Sequence, residues 1–424
     1  MRRKIKGLVS HPFIQGGLIF TVSNFIIGFL NYLFNSLSAK TLGPAGYGEI
    51  TALFSYLVVF SVPLGVINAD LIRRIGRLKS NRASVVLGWE SWIWKKIYYW
   101  RALIIPYFLA ALLIPRLTNL SFFSGIALLI LILLAFISTF YNAAIQGLQF
   151  FLLAAGLQIM SVILKLIGPV LVSFHLGRVN LVLTVLIIGT IIMLVVSQII
   201  ISNKLSKTLN QPDRPIASNK RIKALLVNRN IIITLVSLLA ITLFNNFDMM
   251  FAKKFFSAET AGLYGAWNLL AKIVLYVGGP LSSLSFIYFA DQSYKKQHQR
   301  GLLFLILGII GVGGLMFVAY WFFGQSIIAL LFNKSYLAIA LYLPQAAVFG
   351  CLYAFISVVN GYFLANNSLF SLILAIIFPA YCLFLLLFGR SFLGLINLNL
   401  AFAAIASVAY LIGLFQVPSF HAPK

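Results

Sequence analysis

Apolar runs long enough to cross a bilayer recur from one end of this chain to the other, and nothing else in it restricts the fold so tightly. About 20 apolar residues span the hydrocarbon layer, and inside it every backbone N–H and C=O must be satisfied within the span. The runs fall at about 14–42, 48–70, 102–118, 121–143, 152–174, 181–202, 230–256, 263–288, 301–323, 339–361, 368–388 and 397–415. They predict an all-α membrane protein of about twelve transmembrane helices. With 61% hydrophobic and 9% charged residues and a mean hydropathy of +1.01, the composition is that of a polytopic membrane protein rather than a soluble domain.

The net charge of +25 would suggest nucleic acid in a soluble chain, but the basic residues gather in short segments between the apolar runs. An even number of spans puts both termini on one side. With the N-terminus cytoplasmic, 23 of the 32 Lys and Arg residues fall inside, within 2–6, 73–101, 204–229 and 295–300 and at Lys424, and 7 fall outside. That asymmetry is the positive-inside pattern, and it makes membrane lipids the partners of these residues, with no nucleic acid. Trp89, Trp92, Trp94, Tyr98, Tyr99 and Trp100, mixed with Lys95, Lys96 and Arg101, read as an anchor at headgroup level on the cytoplasmic side. The basic start is followed by an apolar run longer than a signal-peptide core and without a small-residue cleavage site, so it is read as an uncleaved first helix.

The first hairpin carries Asn24, Gly28, Asn31 and Asn35 at spacings of four, three and four, which places them on one helix face. It breaks at Leu42-Gly43-Pro44-Ala45-Gly46-Tyr47-Gly48 and returns with Pro63 and Asp70. Half a chain later its landmarks recur. Phe34-Asn35 and Ala39-Lys40 match Phe247-Asp248 and Ala252-Lys253; Tyr47-Gly48 and Pro63-Leu64 match Tyr264-Gly265 and Pro280-Leu281; Gln146-Gly147 matches Asn360-Gly361, at offsets of 213 to 217 residues. The repeat predicts an N-terminal six-helix lobe at 1–202, a basic cytoplasmic linker at 203–229 and a C-terminal six-helix lobe at 230–424. Six helices per repeat make the lobes parallel repeats related by an axis along the membrane normal, around a central cavity, with alternating access by rocking.

Ala39-Lys40-Thr41-Leu42-Gly43-Pro44-Ala45-Gly46-Tyr47-Gly48 resembles the first hairpin of the polysaccharide-transporter branch of the multidrug/oligosaccharidyl-lipid/polysaccharide exporter superfamily. So do Asn246-Phe247-Asp248 with Ser257-Ala258-Glu259-Thr260-Ala261-Gly262-Leu263-Tyr264-Gly265, and Ile328-Ala329-Leu330-Leu331-Phe332 with Ser335-Tyr336. The resemblance covers nearly the whole chain. It implies a MATE-like fold and a Wzx-type flippase moving polyprenyl-diphosphate-linked oligosaccharide from the cytoplasmic to the outer leaflet of the plasma (inner) membrane, with polysaccharide-assembly enzymes as further partners.

Charges within spans are the sharpest clue that the residues themselves give, since an ionisable group in lipid faces a cavity or a partner. Lys165 lies near the middle of the fifth span, on one face with Gln158 and Ser161, where a cation can meet a diphosphate. Asp248 and Lys272 fall at similar depth on the seventh and eighth spans, placed to neutralise each other or to serve ion coupling (Asp248) and substrate binding (Lys272). Asn24, Asn31, Asn35 and Asn245, with Thr234 and Ser237, are candidates for bonding sugar hydroxyls or for helix packing. Pro63 and Pro280 are candidate hinges.

The chain has no Gly-x-x-x-x-Gly-Lys-Ser/Thr loop, no His-Glu-x-x-His and no paired-Cys spacing, so no cofactor, metal or ATPase is expected. Cys351 and Cys382 sit inside apolar runs, and no disulfide is expected of them; the four histidines lie near span ends or at the tail. The rival readings are a cation-coupled multidrug exporter of the same superfamily, which would need more cavity carboxylates than Asp248, and an integral-membrane polysaccharide polymerase. The latter would need an acidic catalytic constellation that Glu49 and Glu259 near the short outer loops do not supply.

Overall fold

The computed structural model describes residues 12–78, 82–206, 229–275 and 298–416. Among these the regular structure is helical throughout, and nine helices are long and apolar enough to cross a membrane. The first of them is a double crossing. A continuous helical element, Pro12–Arg77, leaves helical geometry only at Gly43 (φ 67°, ψ 179°), so we treat it as α1 (12–42) and α2 (44–77). A positive φ favours glycine, and Pro44 then opens α2 at a position where its missing N–H costs nothing. The expected seven-residue break is thus a single residue, and α2 runs beyond the apolar limit at 70.

The remaining helices are α3 (Arg82–Tyr99), α4 (Ile104–Leu109), α5 (Ile114–Thr118), α6 (Phe122–Gly147), α7 (Phe151–Ser173), α8 (Val179–Ser206), α9 (Arg229–Phe255), α10 (Ala258–Ala271), α11 (His298–Leu331), α12 (Leu343–Ala365), α13 (Ile373–Phe388) and α14 (Phe392–Gln416). The third expected span is not one helix. It is a chain of short α and 3-10 turns from Arg101 to Thr118, with breaks that lie about four residues before Pro106 and Pro115, where a proline ring meets the carbonyl of the preceding turn. Pro63, by contrast, lies inside uninterrupted helix. Most of the basic linker and Pro280 lie outside the described residues.

Two compact units form. The first takes residues up to 34 together with 60–228; the second takes 35–59, the tip of the first hairpin, together with 229 onward. In the first, α6, α7 and α8 pack as neighbours, and Ile75, Val86, Tyr141, Ile145, Ile201 and Leu205 form a core where α2, α3, α6 and α8 meet. The aromatic segment joins this core through Trp89 and Ile93, and Trp94 donates its indole N–H to Tyr141 (3.2 Å) while Lys95 and Lys96 stay exposed.

In the second unit, Ser257 caps α10 by accepting from the Thr260 N–H (3.2 Å), and Glu259 sits in its first turn, both favourable at a helix N-terminus. Buried aromatics bring a polar atom that needs a partner. Tyr320 donates to the Leu270 carbonyl (3.0 Å), Tyr353 to that of Ile241 (3.0 Å) and Trp267 to that of Tyr342 (2.7 Å). Large apolar side chains such as Phe304, Leu341 and Ile376 stand more than three-quarters exposed, as lipid-facing residues of a bilayer protein must.

Candidate functional site

Each unit carries a polar centre of its own. In the first, Lys165 on α7 is half-buried, donates from Nζ to Asn31 Oδ1 (3.2 Å) and lies 4.1 Å from the centroid of the Phe34 ring. Asn31 and Phe34 are one turn apart on α1, so a single helix face supplies both a carbonyl oxygen and a π-face to the ammonium. One turn along the same face of α7, Ser161 and then Gln158 enter the lining of a cavity of about 570 Å³, which α2, α6 and α8 complete with Asn68, Asn142, Gln146 and Thr190. Lys165 itself stands beside this cavity rather than in its wall.

The second centre is built around Asp248 on α9, which is fully buried. Its Oδ1 accepts the Met249 N–H (2.7 Å); its Oδ2 accepts the Tyr264 hydroxyl (2.5 Å), Asn268 Nδ2 (3.0 Å) and Asn399 Nδ2 (3.4 Å). Tyr381 in turn donates to Asn399 Oδ1 (2.5 Å). Lys272, just past the end of α10, donates to Asn246 Oδ1 (3.4 Å). The two charges therefore stand near each other without direct contact: among the described residues the ion pairs are Arg74–Asp70 and Lys253–Glu49. A carboxylate buried in lipid must be repaid in hydrogen bonds, and four donors converge on this one.

The expected site residues divide between the units. Asn31 and Lys165 are bonded in the first, where Gln158 lines the cavity two turns away on α7 and Asn24 is half-buried on α1 outside the lining. In the second, Asn35 accepts from Tyr47 (3.4 Å), and the buried Asn245 Oδ1 has no hydrogen-bond partner. Ser237 is committed to packing, paired with Asn360 (3.0 and 3.1 Å), which also accepts from Tyr410 (2.9 Å). Thr234 bonds the carbonyl of its own helix at Asn230 (2.8 Å).

Sequence reasoning passed over Tyr264, Asn268, Tyr381 and Asn399 around Asp248, and Asn68, Asn142 and Gln146 in the cavity. Part of that was readable. Tyr264, Asn268 and Lys272 recur every four residues, as do Asn142 and Gln146, and each such spacing marks one helix face. Lys253, expected at the outer end of its span, and Glu49, expected near the short outer loops, are buried and paired to each other.

The sequence family described as polysaccharide biosynthesis protein matches residues 13–287. No curated protein matches the sequence. The fold is similar to that of the lipid II flippase MurJ in an inward closed conformation (14% identity, TM-score 0.64, covering 95% of this chain and 89% of that one). It is also similar to multidrug resistance MATE family transporters of the MOP superfamily, one inward-facing (16%, 0.66, covering 95% and 100%) and one outward-facing (15%, 0.61, covering 97% of each chain).

Proposed function

The chain belongs to the polysaccharide biosynthesis protein family, and from that membership we propose that it is a flippase. It moves polyprenyl-diphosphate-linked oligosaccharide from the cytoplasmic to the outer leaflet of the inner membrane, with both termini cytoplasmic and lobes at 1–202 and 230–424 joined by the linker 203–229. The observation that carries this reading is Lys165. Its named partners, a carboxamide and an aromatic ring, are neutral, and the ammonium can exchange them for a charge-assisted bond to a phosphate oxygen. Lys253, locked to Glu49, cannot do the same.

In this reading Lys165 meets the diphosphate during its crossing, Lys272 offers a second cation, and Asp248 is the group through which ion coupling acts. The test is purified protein in liposomes with a labelled polyprenyl-diphosphate oligosaccharide. Transfer between leaflets that falls at least about tenfold in Lys165→Ala, a change of about 1.4 kcal/mol in the barrier, with thermal stability unchanged, supports the reading. Unaltered transfer would remove Lys165 from it.

A second reading, a cation-coupled multidrug exporter, is favoured by one observation, the fully buried carboxylate of Asp248, which makes no direct ion pair among the described residues. Its signature would be organic-cation export that is lost in Asp248→Asn, with no movement of glycolipid.

A further inference from the structure

On the flippase reading, the cavity beside Lys165 acquires a role of its own: we propose that it is the subsite for an uncharged sugar, a neutral pyranose rich in hydroxyl or acetamido groups, next to the diphosphate. Its volume, about 570 Å³, falls within the roughly 300–1,000 Å³ of ligand pockets. Four carboxamides line it, Asn68 from α2, Asn142 and Gln146 from α6, and Gln158 from α7. None of them makes a side-chain hydrogen bond among the described residues, and Asn68 Oδ1 is buried as well. Asn142 stands exposed and the other three are half-buried; a buried amide oxygen such as that of Asn68 is ordinarily satisfied by protein, and with three further amides on the same cavity wall it points to a ligand.

The chemistry of the wall selects that ligand. A carboxamide offers two N–H donors and an acceptor oxygen. Thr190 and Ser197 give their protons to the carbonyls of Leu186 and Met193 (both 2.7 Å), which leaves their oxygens as acceptors. A phosphate or carboxylate needs donors only and a cation acceptors only, whereas a sugar hydroxyl or acetamido group uses both. No Asp, Glu, Lys or Arg stands among the described lining residues, so a uronate would be desolvated without a counter-charge. Leu64, Leu157 and Val162 provide apolar wall for the C–H faces of the ring. Ser161 lies one turn from Lys165, about 6 Å along α7, which sets sugar and diphosphate side by side.

Saturation-transfer NMR on the purified full-length protein, with a free N-acetylhexosamine and the corresponding hexuronic acid as probes, tests this apart from transport. The expected result is binding of the neutral sugar, no binding of the uronate, and a loss of about tenfold or more in Asn142→Leu/Gln158→Leu. Equal binding of the uronate, or a folded double variant that binds as the native protein does, overturns the proposal. If the double variant fails to fold, Gln158→Leu alone is read in the same way. Sugar binding without leaflet transfer would sink the flippase reading and leave the pocket. Transfer that treats neutral and uronate-bearing glycolipids alike would sink the pocket and leave the flippase.

Discussion

The Lys253 ammonium rests on the Glu49 carboxylate, with the two side chains only 6% and 11% exposed. The pair fastens the tip of the first hairpin to α9 inside one compact unit. Removing one partner of a buried pair strands the other charge, a loss of about 3–5 kcal/mol, whereas replacing both by apolar groups is often neutral. Glu49→Gln is expected to lower the thermal midpoint in detergent sharply, and Glu49→Leu with Lys253→Met to restore most of it. A double variant no more stable than the single would show that the pair's worth lies elsewhere.

Gly262 on α10 lies against the Pro44 carbonyl so closely that an added Cβ would stand 1.7 Å from its oxygen, while Gly361 on α12 has nothing within 4 Å. Gly262→Ala must displace backbone and is expected to destabilise by about 1–3 kcal/mol. Gly361→Ala, which fills open space and improves helix propensity, is expected to be neutral or stabilising by up to about 1 kcal/mol. Parallel thermal melts check the contrast.

Phe34 and Asn31 hold Lys165 without chemistry of their own. Phe34→Leu removes the π-face, worth about 0.5–2 kcal/mol, and is expected to slow leaflet transfer by about 2- to 30-fold, less than Lys165→Ala does. Lys165→Arg keeps the charge and should retain part of the activity. Transfer rates ranked in any other order would detach the ring from the function.

Asp248→Asn replaces an oxygen that accepts from Tyr264, Asn268 and Asn399 by a group that must both accept and donate. Whichever way the amide is turned, its NH2 group faces either the Met249 N–H or the three donors on Oδ2, so the four cannot all be served and a loss of about 1–3 kcal/mol is expected. In the coupling role, transfer also stops responding to an imposed ion gradient. A variant that is destabilised yet still gradient-driven would confine Asp248 to holding α9, α10 and α14 together.

The first helical break was legible because Gly43-Pro44 permits a left-handed residue followed by a helix start, and both are local properties. The breaks in the third crossing were equally local, at Pro106 and Pro115, yet the continuity of the helix through Pro63 shows that a proline alone does not decide. Lys165 and its face with Gln158 and Ser161 could be read from spacing. That Asn142, Gln146 and Asn68 share their cavity could not, since those residues come from two other helices whose rotation no local spacing records.

The sequence alone determined that the chain is an all-helical, multi-pass membrane protein and roughly where its apolar spans lie, because a span is a local contract between about 20 apolar residues and a backbone that must satisfy itself. Tertiary structure alone decided which polar groups meet. Asp248 gathers Tyr264, Asn268 and Asn399 in place of a direct bond to Lys272, Lys253 finds Glu49 across some 200 residues of chain, and Asn68, Asn142, Gln146 and Gln158 come to line one cavity. In lipid, helix association rests on close packing rather than on burial of apolar surface. The rotation of each helix, and with it the partner of every polar side chain, is therefore fixed only when all of them have packed.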